Sequence, residues 1–436
     1  MESATFDEWL GNRKSSDDKA FERQGVLWFQ EFSKRCTDST GRFYYSSCDT
    51  ALMDAYHGAK RQCDIILTRR LDNLSASAHS WNDVLVVGEI KRSYTEEMVK
   101  ETILQLARYV REIFGAQPGR RFVHAFTVCG HRARFWFFDR VGVSISTVHN
   151  ISSTQGQKSF MHGLLSYMKM SALQLGFDGH YKDESGNTFI PNGVNNLAYL
   201  HLGDKQFKLI KILTKSHAIC TRATLCWLAK ERECPSGCTG GCQDCFCIVK
   251  EAWRDSKLTA ENELWKLASE KQVFGSLDVL VTCDADVVFR PVSSDAQPPV
   301  QDLNNIRNCF DYTKANRADR WVEDGASSEG LAAILEEEPR DSSVLSGAST
   351  KHSSSKIAKS ASKKRSNSEH ESSGSSFKRR KCNGGNVVEA RARSFMVVRN
   401  VGQPLDREIL QPLELAEILR DAIKCMYAPT PHSTLV

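Results

Sequence analysis

The run Asp83-Val84-Leu85-Val86-Val87-Gly88-Glu89-Ile90-Lys91 is continuously apolar before its charged end. Alternation is absent, so it reads as a strand buried on both faces, which calls for helices above and below the sheet. The next segment fits that demand. Thr95 to Phe114 is an amphipathic helix, with Met98, Thr102, Gln105, Leu106, Tyr109 and Ile113 at spacings of three and four. Pro118-Gly119 breaks the chain, and strands follow over Phe122 to Val128 and Ala133 to Phe138. Upstream, Val26 to Lys34 has helical spacing, and Cys63 to Leu67 is a short strand with Asp64 near its start. Residues 25–178 therefore read as an α/β domain behind a polar, acidic and flexible N-terminus, 1–24.

Asp64 on one strand, Glu89 and Lys91 on the next, and Gln105 on the following helix form a chemical pattern. Two carboxylates can bring Mg²⁺ to a phosphodiester, and a Lys two residues on shares the strand face with the second acid. The pattern resembles the PD-(D/E)xK nuclease superfamily, whose fold is a restriction-endonuclease-like mixed sheet. The resemblance implies Asp64 and Glu89 as metal ligands, Lys91 as charge stabiliser and Glu31 as a helix acid. The same residues also suit a plain acid and base at a strand end, in a fold kept without cleavage.

Charge and cysteine usage bound the partners. The net charge is +5, yet Lys351 to Arg393 alone carries 12 Lys/Arg against 3 Asp/Glu, a local +9. The remainder sums to 5 − 9 = −4, so the folded parts are slightly acidic and offer no generally basic body to nucleic acid. The 15 cysteines are mostly scattered singly, unlike a secreted disulfide framework. No apolar run reaches the roughly 18 residues of a spanning helix, and no secretory leader is present, so a soluble, non-secreted chain without a membrane partner is expected. Ser342 to Gly385 is Ser-rich and poor in large apolar residues, and is expected to be disordered. Its clusters Lys363-Lys364-Arg365 and Lys378-Arg379-Arg380-Lys381 suit a bipartite import signal. They imply an import receptor, nucleic acid through the linker, and a nuclear or nucleocytoplasmic location.

Longer strings carry a second resemblance. They run from Gly115-Ala116-Gln117-Pro118-Gly119-Arg120-Arg121-Phe122 to Cys129-Gly130, then Arg134-Phe135-Trp136-Phe137-Phe138-Asp139-Arg140, Leu165-Ser166-Tyr167-Met168-Lys169-Met170 and Leu175-Gly176-Phe177-Asp178. Together they resemble the fungal-type protein kinase family, over most of Trp81 to Val288 and again at Glu389 to Tyr427. The resemblance implies an incomplete α+β kinase-like domain. Its small lobe would span 195–290, interrupted by the linker 291–386, and would end in a last strand, hinge and first large-lobe helix over 387–427, before a tail, 428–436. It also implies ATP with Mg²⁺ and a protein substrate.

Within that lobe, Asn196 to Leu202 and Gln206 to Leu213 form a hairpin around Gly203-Asp204. Thr221-Arg222-Ala223-Thr224 stands where the family has a glycine-rich phosphate loop; both glycines are replaced, which hinders close backbone approach to phosphate. Lys250 matches the phosphate-binding lysine and Glu263 its helix partner, with Glu261 as a rival. Cys234, Cys238, Cys242 and Cys245 fall between two strands, and read either as a Zn²⁺ site or as a hairpin tip with free thiols. After the apolar helix of Pro412 to Tyr427 no H-R-D-like loop, catalytic Asn or D-F-G string follows before Val436. The expectation is a truncated, catalytically incomplete kinase-family member. The rivals are a nuclease using Asp64, Glu89 and Lys91, and a nuclear scaffold.

Overall fold

The computed structural model describes residues 6–11, 18–36, 41–46, 51–53, 61–69, 79–94, 96–191, 198–216, 218–233, 245–273, 278–290 and 389–399. The Ser-rich linker, the helix read at 412–427 and three of the four proposed zinc cysteines (Cys234, Cys238 and Cys242) lie outside them. Two sheets organise the described chain into a mixed α/β fold.

The first begins with helices α1 (Phe6–Gly11) and α2 (Asp18–Arg35). Strands β1 (Arg42–Tyr45), β2 (Ile65–Arg69) and β3 (Val86–Lys91) follow, then α3 (Glu96–Ala116). Next come β4 (Phe122–Cys129), β5 (Arg132–Asp139), β6 (Val143–Ile145), β7 (His149–Asn150) and α4 (Thr154–Lys169). The sheet order is β1-β2-β3-β4-β5-β6, with β7 also paired to β5. β3 and β4 are parallel, as the intervening α3 permits, and the other pairings are antiparallel.

Both faces of this sheet are covered, as the unbroken apolar run at β3 demands. On one face Val86, Ile90, Phe126 and Phe135 pack with Trp9, Phe21, Phe29, Phe160 and Leu164 from α1, α2 and α4. On the other, Val87, Ala125, Trp136 and Phe138 meet Leu106, Val110 and Ile113 of α3. Gly88 is set by packing, because a Cβ there would lie 2.2 Å from the Phe126 ring. The N-terminus differs from the sequence expectation. Phe6, Trp9 and Leu10, spaced three and four apart, form a short helix inside this core instead of a flexible lead.

The second sheet comprises β8 (Tyr181–Lys182), β9 (Tyr199–Leu202), β10 (Lys205–Lys215), β11 (Leu225–Glu231) and β12 (Phe246–Asp255). Helix α5 (Glu261–Glu270), β13 (Val279–Arg290) and β14 (Glu389–Val398) complete it. The order is β13-β14-β12-β11-β10-β9-β8, and every pairing is antiparallel. One face buries Phe207, Leu209, Trp227, Val249, Phe395 and Val397 against Tyr181 and Phe189. The boundary read at 195 therefore moves upstream, since Tyr181 is already a strand residue of this sheet.

The two sheets are joined through buried polar groups. Arg393 of β14, with no exposed surface, forms an ion pair with Asp178 and stands 2.9 Å from Glu251 Oε1. Tyr181 donates to Glu251 Oε2 at 2.6 Å. Arg140 donates to the Ala218 carbonyl at 2.9 Å, and Lys215 to that of Gly115 at 2.6 Å. Removing one member of such a buried set strands the others without counter-charge. Arg393→Ala is expected to lower unfolding stability by about 3–5 kcal/mol, read from chemical denaturation, whereas Arg399→Ala on the exposed side should change it by under about 1 kcal/mol.

Candidate functional sites

Two acid–base clusters stand on separate sheets. The first sits where β2 and β3 meet. Because side chains alternate along a strand, Glu89 and Lys91 share the α3 face of β3. Asp64 reaches the same point from the chain just before β2, and its Oδ2 accepts from the Ile90 N–H at 2.8 Å. Lys91 Nζ is paired with Glu89 Oε1 and lies 3.8 Å from Asp64 Oδ2. The three residues picked from sequence are thus brought together.

The electrostatics follow from burial. Glu89 has no exposed surface, and its Oε2 has no hydrogen-bond partner. Burial, reinforced by the neighbouring Asp64 carboxylate and only partly opposed by Lys91, pushes Glu89 up to about 8. For Lys91 burial alone would favour the neutral amine, but Glu89 and Asp64 outweigh it and hold the ammonium charged. Cys129, beside Lys91 across the β3–β4 pair, is pushed up to about 11 by burial.

Two helix residues expected at this site are placed differently. Gln105 donates to Tyr109 OH at 2.6 Å, and Tyr109 donates to the Gln62 carbonyl at 2.7 Å. Gln105 thus supports Tyr109, which fastens α3 to the segment leading into Asp64. Glu31 pairs with Arg35 at 3.2 Å and Lys34 at 3.7 Å on its own helix. The α2 acid whose field reaches Lys91 is Glu22. The sequence signal for Glu22 was its helix, which was begun too late, at Val26.

The second cluster lies on β12. Lys250 Nζ contacts Glu261 Oε1 at 2.5 Å, and Arg222 Nη2 stands 3.4 Å from Glu261 Oε2. Glu263 is exposed and does not take this role. Residues 261 and 263 are about 200° apart around a helix, so only one can face the lysine.

Residues 221–224 follow a loop that leaves β10 and enters the first domain. Ala218 and Ile219 have no exposed surface, and Ile219 packs in the α3-side core with Trp81, Trp136 and Ile145. Arg222 O accepts from the Trp253 N–H at 2.7 Å. Ala223 adopts φ 42°, a conformation that favours glycine, while its N–H goes to Thr221 Oγ1 at 3.1 Å and its side chain packs on Val141 and Trp253.

Cys245 and Cys247 are buried at the start of β12. Among the described residues, no group of three or more His, Cys, Asp or Glu side chains is arranged to hold a metal ion. Likewise, no described helix is long and apolar enough to cross a membrane.

The model of the fungal protein kinase family matches residues 62–428, most of the chain. The chain belongs to the fungal protein kinase family. No curated protein and no solved structure matches it. The match begins just before Asp64 and runs across both sheets, so in this family member the carboxylate cluster and the Lys250 cluster lie within one matched region.

Glu89 links pH to stability at the first cluster. Its folded-state value, about 8, lies above its ordinary 4.5, so between those values the folded chain binds a proton that the unfolded chain has lost. Stability should therefore fall as pH rises through this window, by up to about 1.4 kcal/mol per pH unit, and level off above it. Glu89→Gln, neutral at every pH, should flatten that fall, and denaturant titrations at several pH values measure it.

Proposed function

We propose that this chain has a kinase-family role in which the second sheet meets the phosphates of ATP through Lys250, oriented by Glu261. The observation that carries the reading is the 2.5 Å Lys250–Glu261 contact, which joins the central strand β12 to the helix that follows it. In protein kinases such a pair fixes the lysine that holds the nucleotide phosphates. The order β13-β14-β12-β11-β10, with α5 between β12 and β13, fits a five-stranded kinase small lobe.

Only part of the cradle fits ATP. Lys250 is half-buried and carries the needed charge. The loop over residues 218–223 does not fit, since Ile219 is held in the other core and Ala223 replaces a glycine. Bound nucleotide would supply a γ-phosphoryl group with its Mg²⁺, but these 436 residues hold no H-R-D or D-F-G string to orient an acceptor hydroxyl and anchor the metal. By themselves they are therefore expected to bind nucleotide weakly and not to transfer phosphate to a protein.

Displacement of a fluorescent ATP analogue tests this reading. Lys250→Met should weaken binding tenfold or more, and Glu261→Gln several-fold, while Glu263→Gln should leave it unchanged. Equal affinity in Lys250→Met would remove the proposed role.

A second reading is favoured by the unpartnered Glu89 Oε2. Asp64 and Glu89 suit Mg²⁺ or Mn²⁺, which commonly take one or two carboxylates and fill the remaining positions with water or phosphate oxygen. The cation would offset the burial and the Asp64 repulsion that keep Glu89 protonated, and Lys91 would stabilise charge on a phosphodiester undergoing cleavage. Near pH 8, Mn²⁺ should raise the melting temperature of the wild type but not that of Glu89→Gln. A cation response that survives this substitution would sink the reading.

A further inference from the structure

The face of the second sheet that bears Lys250 has an unusual composition further along its strands. Register aligns one cross-strand row as Lys182, Tyr199, Lys208, Lys230 and Phe246, from β8 to β12. All five side chains are half-buried on the outer face, opposite the core. The next row outward holds His201 and Gln206, with Arg232 donating to Gln206 Oε1 at 2.6 Å. The next row inward holds Lys211, Leu228 and Ile248. Among the described residues, these three rows carry no carboxylate on this face. Two neighbouring acids turn away, Glu231 to Lys205 at 3.0 Å and Asp183 to the Asn187 N–H at 2.8 Å.

Lys208 and Lys230 are direct cross-strand partners, and like charges in that position destabilise the pair. Positive charge accumulates enough that Lys182 and Arg232 both disfavour protonation of His201, after its burial. Each aromatic ring has a cation nearby. The Arg232 guanidinium lies 5.6 Å from the Tyr199 ring centre, and Lys230 Nζ lies 6.0 Å from that of Phe246.

We infer that this sheet face is a binding surface for single-stranded nucleic acid. Tyr199 and Phe246 are separated by three strand spacings, about 14 Å, with two lysines between them. Aromatic rings on an exposed sheet stack unpaired bases, and interleaved lysines neutralise the phosphates that join them. A folded acidic protein would satisfy the cations but has no particular use for the rings. A duplex hides its base faces. Both features together favour a single strand. The surface is distinct from the basic linker, and it explains how a body with slight net acidity can still present a local cationic field.

The test is fluorescence anisotropy of a short labelled oligo-dT with the full chain, whose linker clusters at 363–365 and 378–381 are replaced by Gln to silence them. Tyr199→Ala with Phe246→Ala should weaken binding at least tenfold and leave the salt dependence nearly unchanged, while Tyr199→Phe with Phe246→Tyr retains affinity. Lys208→Gln with Lys230→Gln should weaken binding and reduce the slope of log affinity against log salt by about 1.4. The same pair should raise the melting temperature by removing the repulsion, so loss of binding cannot be ascribed to unfolding. Wild-type affinity in the aromatic double variant would overturn the inference. So would equal competition by duplex DNA or by polyglutamate, either of which would assign the surface to polyanions in general.

Discussion

Arg393 is a guanidinium with no access to water, and the arrangement of both sheets is built around it. Its ion pairs run to Asp178, at the end of the first domain, and to Glu251 on β12 of the second sheet. A buried charge is tolerated only when its partners are close and its remaining hydrogen-bonding needs are met. Here the counter-charges come from two elements far apart in sequence, and Tyr181 donates to one of them, Glu251. The apolar half of the seam is Ile219, a residue of the second sheet's loop that fills the first sheet's core. A loop that in a kinase would be free to close over phosphates is instead part of the packing between domains.

The two acid–base clusters differ in a way that follows from burial. Glu261 is partly exposed, and water screens its pairing with Lys250. Glu89 is enclosed between β3 and α3, where the second carboxylate of Asp64 cannot be screened, and it therefore holds a proton near neutral pH. The first arrangement pairs a half-buried lysine with a partly exposed acid. The second sets two carboxylates and a lysine together under cover. One chain thus carries two acid–lysine clusters, on different sheets and in different degrees of burial.

Much of this was legible because the relevant signals are local. The unbroken apolar run at β3 announced a strand covered on both faces, and the period of α3 announced one of its covers. The i, i+2 spacing of Glu89 and Lys91 put them on one face, and Asp64 was the acid on the neighbouring strand. Less legible were residues whose roles depend on rotation or on distant packing. Glu261 rather than Glu263 faces Lys250, a choice that depends on how α5 docks on the sheet, since two residues along a helix turn its face by more than half a circle. Glu22 was missed for the same kind of reason, since α2 begins earlier than its apolar pattern suggested. Phe6, Trp9 and Leu10 are too short a run to stand out by periodicity, and only the core they enter makes them a helix.

By itself the sequence determined the family strings, the strand–helix–strand core, the acid and lysine candidates, and the loss of the loop glycines. These rest on residue type and on spacings of two or three to four, which backbone geometry converts directly into faces. Tertiary structure alone decided that Ile219 leaves its own lobe for another core and that Arg393 joins Asp178 to Glu251. It also decided that Lys182, Tyr199, Lys208, Lys230 and Phe246 form one row. Each depends on register and docking between segments separated by tens to hundreds of residues. A one-residue slip in any pairing would send those side chains to the opposite face.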